Sequence, residues 1–290
     1  MDKSDHFVDS YSLIEAPSEL RKRAEKDGYL YIAQLLERGK VLEVRRQVLA
    51  VCAAHGLLSE EAPAEAGVRR AQVTLRESPD PRWVALYRDI LCLSEFHRLA
   101  LDAALWAVFS ALFDEPPLPH SRNICRVVFP DTAAYTTPPH QDHVYIGGTA
   151  DTWTAWIPLG DCPRELGGLA LVPGSRHWGL LDTKPGLGAG GRQVDVPADA
   201  AWAYSPMACG DVLLFHSHTV HQALDNLSKD SLRVSVDYRY QPRGEPLRKD
   251  SMEPHMSGFG WTWEDIYADW PEDEPLKYYW RDWNLSFVER

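Results

Sequence analysis

The sequence predicts a mainly β fold with flanking helices, a jelly roll or small barrel preceded by a largely helical part. Three observations carry this. Short Val-, Ile- and Leu-rich runs separated by Gly and Pro turns succeed one another from Arg122 to Tyr240, the pattern of a double-sheet or barrel fold. Before Pro116-Pro117 the apolar residues recur instead at three- and four-residue steps, as helices bury them. Finally, 290 residues of which 44% are hydrophobic suffice for one sizeable core, at a length where all-β units commonly form one domain. The expectation is one domain over 1–290: a mostly helical part over 1–117, a jelly-roll core over 118–242 and an aromatic, acidic extension over 243–290.

In chain order, residues 18–27 open on Ser18, a helix-capping residue type, and stop at Asp27-Gly28. This is a short helix that runs into an apolar strand, Tyr29–Ala33. Val41, Leu42, Val44, Val48, Leu49 and Cys52 recur at helical spacing, so an amphipathic helix over Val41–Leu58 packs on a sheet. Residues 59–82, rich in Glu, Ala and Pro, read as a surface connection, and 83–113 as helical again. Strands follow over Arg122–Phe129, Thr152–Leu159, Leu169–Val172, Gln193–Val196, Asp211–Phe215 and Leu232–Tyr240. The glycine-rich stretch Lys184–Gly191 lacks the Gly-Lys-Ser/Thr ending of a phosphate loop. It reads as a mobile loop beside the barrel mouth, a lid. The Trp- and Tyr-rich tail over 260–290 reads as a packed extension, or as a lining of the substrate pocket or a subunit contact.

Thirty Lys and Arg against 42 Asp and Glu leave a formal charge of −12, which argues against nucleic acid as a partner because phosphate contacts need clustered cations. Five scattered cysteines without a CxxC pair fit neither a zinc knuckle nor a disulfide framework. The polar start Met1–His6 has no apolar core of a signal, and no run of about 18 apolar residues suggests a membrane span. The expectation is a cytoplasmic protein, monomeric or homodimeric, acting on a small molecule.

The chemistry gathers at Pro138-Pro139-His140-Gln141-Asp142-His143. His140 and Asp142 are two apart, so in an extended backbone an imidazole and a carboxylate leave the same face. About eighty residues later, His216, His218 and His221 offer a third donor. Two histidines and a carboxylate on one side of a metal form the facial triad of non-haem Fe(II) oxygenases. Of the three positions left open, an α-keto acid can take two and O2 the third. The distal carboxylate of that acid calls for a bidentate arginine, and Arg233 lies twelve residues after His221, on a returning strand.

His140-Gln141-Asp142, Ala155-Trp156-Ile157-Pro158-Leu159, Gly167-Gly168-Leu169, Val172-Pro173-Gly174-Ser175-Arg176-His177, Gly210-Asp211, Phe215-His216, His221 and Arg233 stand in one order. With Asp27-Gly28-Tyr29 near the start, they resemble the phytanoyl-CoA dioxygenase family over roughly residues 18–242. The resemblance implies a cupin-like double-stranded β-helix and a dioxygenase that uses Fe(II), 2-oxoglutarate and O2. It implies hydroxylation of an unactivated C–H of a small metabolite, with release of succinate and CO2. It places His140, Asp142 and His221 on iron, Arg233 on 2-oxoglutarate and Trp156 beside it. His216 is then a buried hydrogen-bonding residue, and His177 and His255 are structural.

Two features depart from the pattern. Where relatives often carry Ser two residues after the distal histidine this chain has Ala223, which passes the hydroxyl's task to Ser235; and the His-to-Arg interval is slightly long, in the turn after Asn226. Asp142 fills the position that a halogenase of this type leaves to Gly or Ala. Asn123, Arg126, His143 and Tyr145 are the candidates to face substrate. The alternative is a non-redox metal-binding jelly-roll protein or a metal-dependent isomerase holding Zn or Mn, against which Arg233 discriminates, since neither needs a carboxylate clamp.

Overall fold

The computed structural model describes residues 6–75 and 80–288. The polar start up to residue 5, part of the 59–82 connection and the last two residues of the tail lie outside it. Its centre is a six-stranded antiparallel sheet of β1 (Tyr29–Ile32), β2 (Pro117–Pro119), β3 (Ile124–Val128), β4 (Trp153–Pro158), β8 (Val212–His216) and β10 (Arg233–Pro242), in the order β1-β8-β4-β10-β2 with β3 also on β10. β4 lies along one edge of β10, while β2 and β3 follow one another along the other. The Pro-flanked β2 was not legible in the sequence, since its backbone offers few donors to a ladder.

A second, shorter layer consists of β5 (Leu169–Leu171), β6 (Thr183–Pro185), β7 (Arg192–Val194) and β9 (His221–Ala223). β5 pairs with β9 and β6 with β7. The 139–140 segment joins the two pairs through isolated backbone contacts: His140 exchanges two hydrogen bonds with His221, and the Val194 amide donates to the Pro139 carbonyl. With three-residue strands and single bridges, the sheets do not close into a continuous barrel among the described residues. β11 (Leu247–Arg248) and β12 (Phe287–Val288) form a small parallel pair.

Period-two alternation divides the main sheet. Val234, Val236, Tyr238 and Tyr240 of β10, Ala155 and Ile157 of β4, and Val212 and Leu214 of β8 share one apolar cluster with the helices. These are α1 (Pro17–Asp27), α2 (Arg38–Ala54), α3 (Pro81–Leu91), α4 (Ser94–Leu99) and α5 (Ala103–Phe113). Tyr238 and Tyr240 donate their hydroxyls to the carbonyls of Phe96 and Ala100. The opposite face, with Trp156, Leu213 and Phe215, meets the second layer in a smaller cluster. α2 begins earlier than predicted, at Arg38, and stops at Ala54, ahead of Gly56, whose φ of 69° is the left-handed conformation that ends a helix.

Ser94–Phe113 is long and apolar enough to cross a membrane by composition, which the sequence reading had not found. It is two helices, α4 and α5, and Phe96, Leu105, Val108, Phe109 and Leu112 are buried in the core. From the tail, α7 (Trp263–Ile266), with Tyr267, Trp270, Leu276 and Trp280, joins the same cluster. The Trp270 indole donates to the Cys92 carbonyl.

Candidate metal centre

His140, Asp142 and His221 meet between the two layers, with one donor atom from each lying within 4.8 Å of the others. The backbone differs from the predicted continuous strand. His140 sits in the bridge to His221, but Asp142 is already helical (φ −64°, ψ −30°) and opens the short α6 (His143–Ile146). The side chains still converge, because the turn swings the carboxylate back under the imidazoles. Nε2 of His140 lies 3.7 Å from Asp142 Oδ1, and that of His221 3.9 Å away.

Three features fit this set to a divalent metal. The Nδ1 atoms of His140 and His221 lie 2.8 and 3.0 Å from the carbonyls of Pro138 and Thr219. A carbonyl only accepts, so each Nδ1 carries a proton and each Nε2 is the nitrogen left to face a metal. Burial, then the neighbouring His140, pushes His221 down to about 3, so its imidazole is neutral at physiological pH. Burial alone would raise the Asp142 carboxyl, but Arg239, with His140 and His221, holds it well below the usual carboxylate range.

Asp142 is itself held in place. Thr154 of β4 donates to Oδ2 at 2.5 Å, and Arg239 of β10 reaches Oδ1 at 3.4 Å. Neither was singled out from the sequence, yet the signal was there. The alternation that puts Arg233 and Ser235 on one face of β10 continues to Asp237 and Arg239, and the face of β4 that carries Trp156 also carries Thr154. Thr154→Val, which keeps the shape and removes the donor, is expected to weaken metal binding by about 10- to 100-fold. Competition with a chromophoric chelator measures this, and unchanged affinity would assign Thr154 a packing role only.

Across a narrow cleft of about 30 Å³ from the triad lies Arg233, with Trp156, Leu169, Phe215 and Ala223 in the same lining. Arg233 is 3% exposed. It donates to the Gly168 carbonyl at 3.4 Å and lies 5.9 Å from the Trp156 ring. It forms no ion pair among the described residues, and its Nε is buried without a partner. A buried cation without an anion is costly, so this corner is built for an anionic ligand. Ser235, two residues along the same strand face, has a buried hydroxyl that is also unpartnered.

The structure separates the four substrate candidates. Arg126 borders the cleft and donates from Nε to Asp237 Oδ2 at 3.0 Å. Tyr145 lies on the adjoining cavity, its ring 5.9 Å from that of His140. Asn123 is not brought to the site: one residue out of phase with Arg126 on the same run, it faces the helices, its amide 3.1 Å from His97 Nδ1. His143 is likewise turned away by the helical turn at Asp142 and packs edge-on against His218 at 4.8 Å. His216 and His218 line a different cavity, and His216 Nδ1 accepts the His218 amide.

The glycine-rich stretch forms the turn of the β6–β7 hairpin and packs over the site. A Cβ at Gly188 would meet the Thr136 carbonyl oxygen at 2.4 Å, and one at Gly190 would meet Tyr145 Oη at 2.6 Å. Both are at positive φ, so only glycine fits this approach.

With this geometry in view, the chain compares as follows. The sequence profile described as phytanoyl-CoA dioxygenase (PhyH) matches residues 24–234. The 1-deoxypentalenic acid 11-beta-hydroxylase of Streptomyces arenae is 30% identical over 262 residues, spanning 86% of this chain and 89% of the relative. The enzyme of that name from Streptomyces exfoliatus is 27% identical over 263 residues, with the same shares. Among solved structures, the epimerase SnoN, in complex with Fe3+, alpha ketoglutarate and nogalamycin RO, superposes with a TM-score of 0.57 at 23% identity, over 81% of this chain and 86% of that one. The alpha ketoglutarate dependent carbocyclase SnoK does so with a TM-score of 0.54 at 23% identity, over 80% and 87%. At these identities the structural likeness is one of fold.

Proposed function

The chain belongs to the phytanoyl-CoA dioxygenase family, and from that premise we propose how its own residues carry the reaction. It is a 2-oxoglutarate-dependent non-haem iron dioxygenase that hydroxylates a metabolite, with Fe(II) as metal and 2-oxoglutarate and O2 as co-substrates. Bound together, these supply the oxidant that inserts one oxygen atom into a C–H bond and leaves succinate and CO2.

In our reading His140, Asp142 and His221 hold the iron through two Nε2 atoms and one carboxylate. Arg233 binds the distal carboxylate of 2-oxoglutarate at the far wall of the cleft, with Ser235 adding its hydroxyl and Trp156 closing one side. Trp156, Leu169 and Phe215 keep that end dry, which strengthens every charge contact inside it. Arg126 and Tyr145 face the substrate, and the glycine turn over 186–191 serves as its lid. The architecture is read as a double-stranded β-helix with the helical N-terminal part packed on it, one domain over 1–290. The five cysteines, all free, fit a reducing compartment such as the cytoplasm.

The observation that carries this reading is the buried Arg233, without an ion pair among the described residues, across the cleft from three converging donors. It disfavours the alternative of a non-redox binding protein or isomerase, as does family membership. The test separates the histidines. His221→Ala is expected to lose iron and the iron-dependent conversion of 2-oxoglutarate to succinate, while His216→Ala keeps both. The reverse pattern would move the third ligand to His216 and sink the assignment.

A further inference from the structure

Next to the triad, on the side away from Arg233, lies a second cavity of about 390 Å³ lined by His140, Asp142 and Tyr145, a size suited to a small organic molecule. Its charge is lopsided. Four guanidiniums, of Arg122, Arg126, Arg239 and Arg248, border it against the two carboxylates of Asp142 and Asp250. Three of the four are engaged: Arg126 with Asp237 at 3.0 Å, Arg239 with Asp142 at 3.4 Å and Arg248 with Asp250 at 2.5 Å. Arg122 is not. It makes no side-chain hydrogen bond or ion pair among the described residues, and its Nε is buried without a partner.

His120 and His255 add no charge here. Burial pushes His120 down to about 4, and it hydrogen-bonds the Gln241 side chain at 2.8 Å. His255, half-buried, contacts the Tyr87 hydroxyl at 2.6 Å, and desolvation holds it well below its ordinary value. Ile124, Val144, Ile146, Ala189 and Met256 supply apolar wall, beside the small polar Thr137 and Ser251.

We propose that this cavity takes a small carboxylic acid with an apolar body, and that Arg122 is the residue that holds its carboxylate. This rests on the reading of His140, Asp142 and His221 as the iron site, which places the cavity where a substrate must lie. One unmatched cation suits one negative charge. Asp142 and Asp250 in the same lining oppose a second charge, which argues for a carboxylate over a phosphate. The register explains how two anions stay apart. Val128 of β3 lies opposite Arg233, and Ile124 opposite Asp237. β3 is extended only over Ile124–Val128, and Arg122 lies beyond its far end, in the turn that the Asn123 amide closes on the Ser121 carbonyl, away from the Arg233 end. 2-Oxoglutarate and substrate are both anions, and each has a seat at its own end of the site, with the metal donors between.

Metal-free protein allows a direct test by calorimetric titration with two probes: 1-adamantanecarboxylate, and 1-adamantanemethanol, the same apolar body without the charge. Wild type is expected to bind the acid about tenfold more tightly than the alcohol. Arg122→Gln should bind the two alike, and Arg122→Lys, which retains the charge, should keep part of the preference. Equal binding of both probes by wild type, binding of neither, or a preference that survives in Arg122→Gln would overturn the proposal. Failure of the iron and 2-oxoglutarate reading is seen separately, in the metal- and co-substrate-binding spectra of the wild type, and leaves the acid preference of the metal-free protein unaffected.

Discussion

Asp142→Ala is expected to leave a protein that retains almost no iron after gel filtration and makes succinate at below about a thousandth of the wild-type rate. The loss has two parts. One of three donors goes, and two neutral imidazoles hold Fe(II) far more weakly than the same pair with a carboxylate. The second part falls on the protein. Arg239, 8% exposed at its side chain and 3.4 Å from Asp142, is left as a buried cation without its acid, which costs roughly 3 kcal/mol of stability. Asp142→Asn separates the two, since it keeps the size and a partner for the Thr154 hydroxyl while removing the charge. It should fold better than the alanine variant and still fail to retain iron. Full turnover in either variant would contradict the ligand assignment.

The metal-free protein is expected to unfold on mild acidification, with a midpoint near pH 5. The cause is a set of neutral buried histidines. Burial pushes His97 and His120 down to about 4, and His216 and His221 to about 3. In the unfolded chain the same groups take a proton near pH 6.5. Their folded pKa values lie below the unfolded ones, so the unfolded state binds more protons and stability falls as pH falls below 6.5. At pH 5 each of the four costs about 2 kcal/mol, together roughly 8 kcal/mol, which is comparable with the whole stability of a domain.

The depressed carboxyl of Asp142 acts lower on the scale, its contribution being lost only as pH falls through its own folded value, below 3.8. Circular dichroism between pH 8 and pH 4, with a chelator present, measures the transition. Because His221 must stay neutral to bind, added iron should move the midpoint to lower pH. A urea midpoint unchanged from pH 7 to 4.5 would refute this account.

Much of the site was legible because its residues are tied to motifs with a mechanical reason. His140 and Asp142 were readable from their spacing, Arg233 from its place on the strand that follows His221, and Ser235 from the family resemblance once Ala223 departed from it. The alternation of that strand held Asp237 and Arg239, which went unread because a sequence does not say that the polar face of a strand looks into a site instead of solvent. Asn123 was misplaced by one residue of register, which on a strand is the difference between the site and the helices. His143 was misplaced because the backbone turns helical at Asp142, a local conformation that nothing in His-Gln-Asp-His announces. β2 escaped notice because Pro117 and Pro119 suggest a break, and it survives as a strand only by pairing at the end of the long β10. The helical segments before residue 115 were plain from their period, while their ends were set by glycine conformations, as at Gly56.

The central claim is that this chain grips 2-oxoglutarate between a metal on His140, Asp142 and His221 and the guanidinium of Arg233. The most direct test is an anaerobic titration of purified protein with Fe(II) and then 2-oxoglutarate, followed by the weak visible charge-transfer absorption of the chelate. The account predicts that the band appears in the wild type and is lost or much weakened in Arg233→Ala at the same 2-oxoglutarate concentration. Iron binding without any band in the wild type, or a band undiminished in Arg233→Ala, would contradict it.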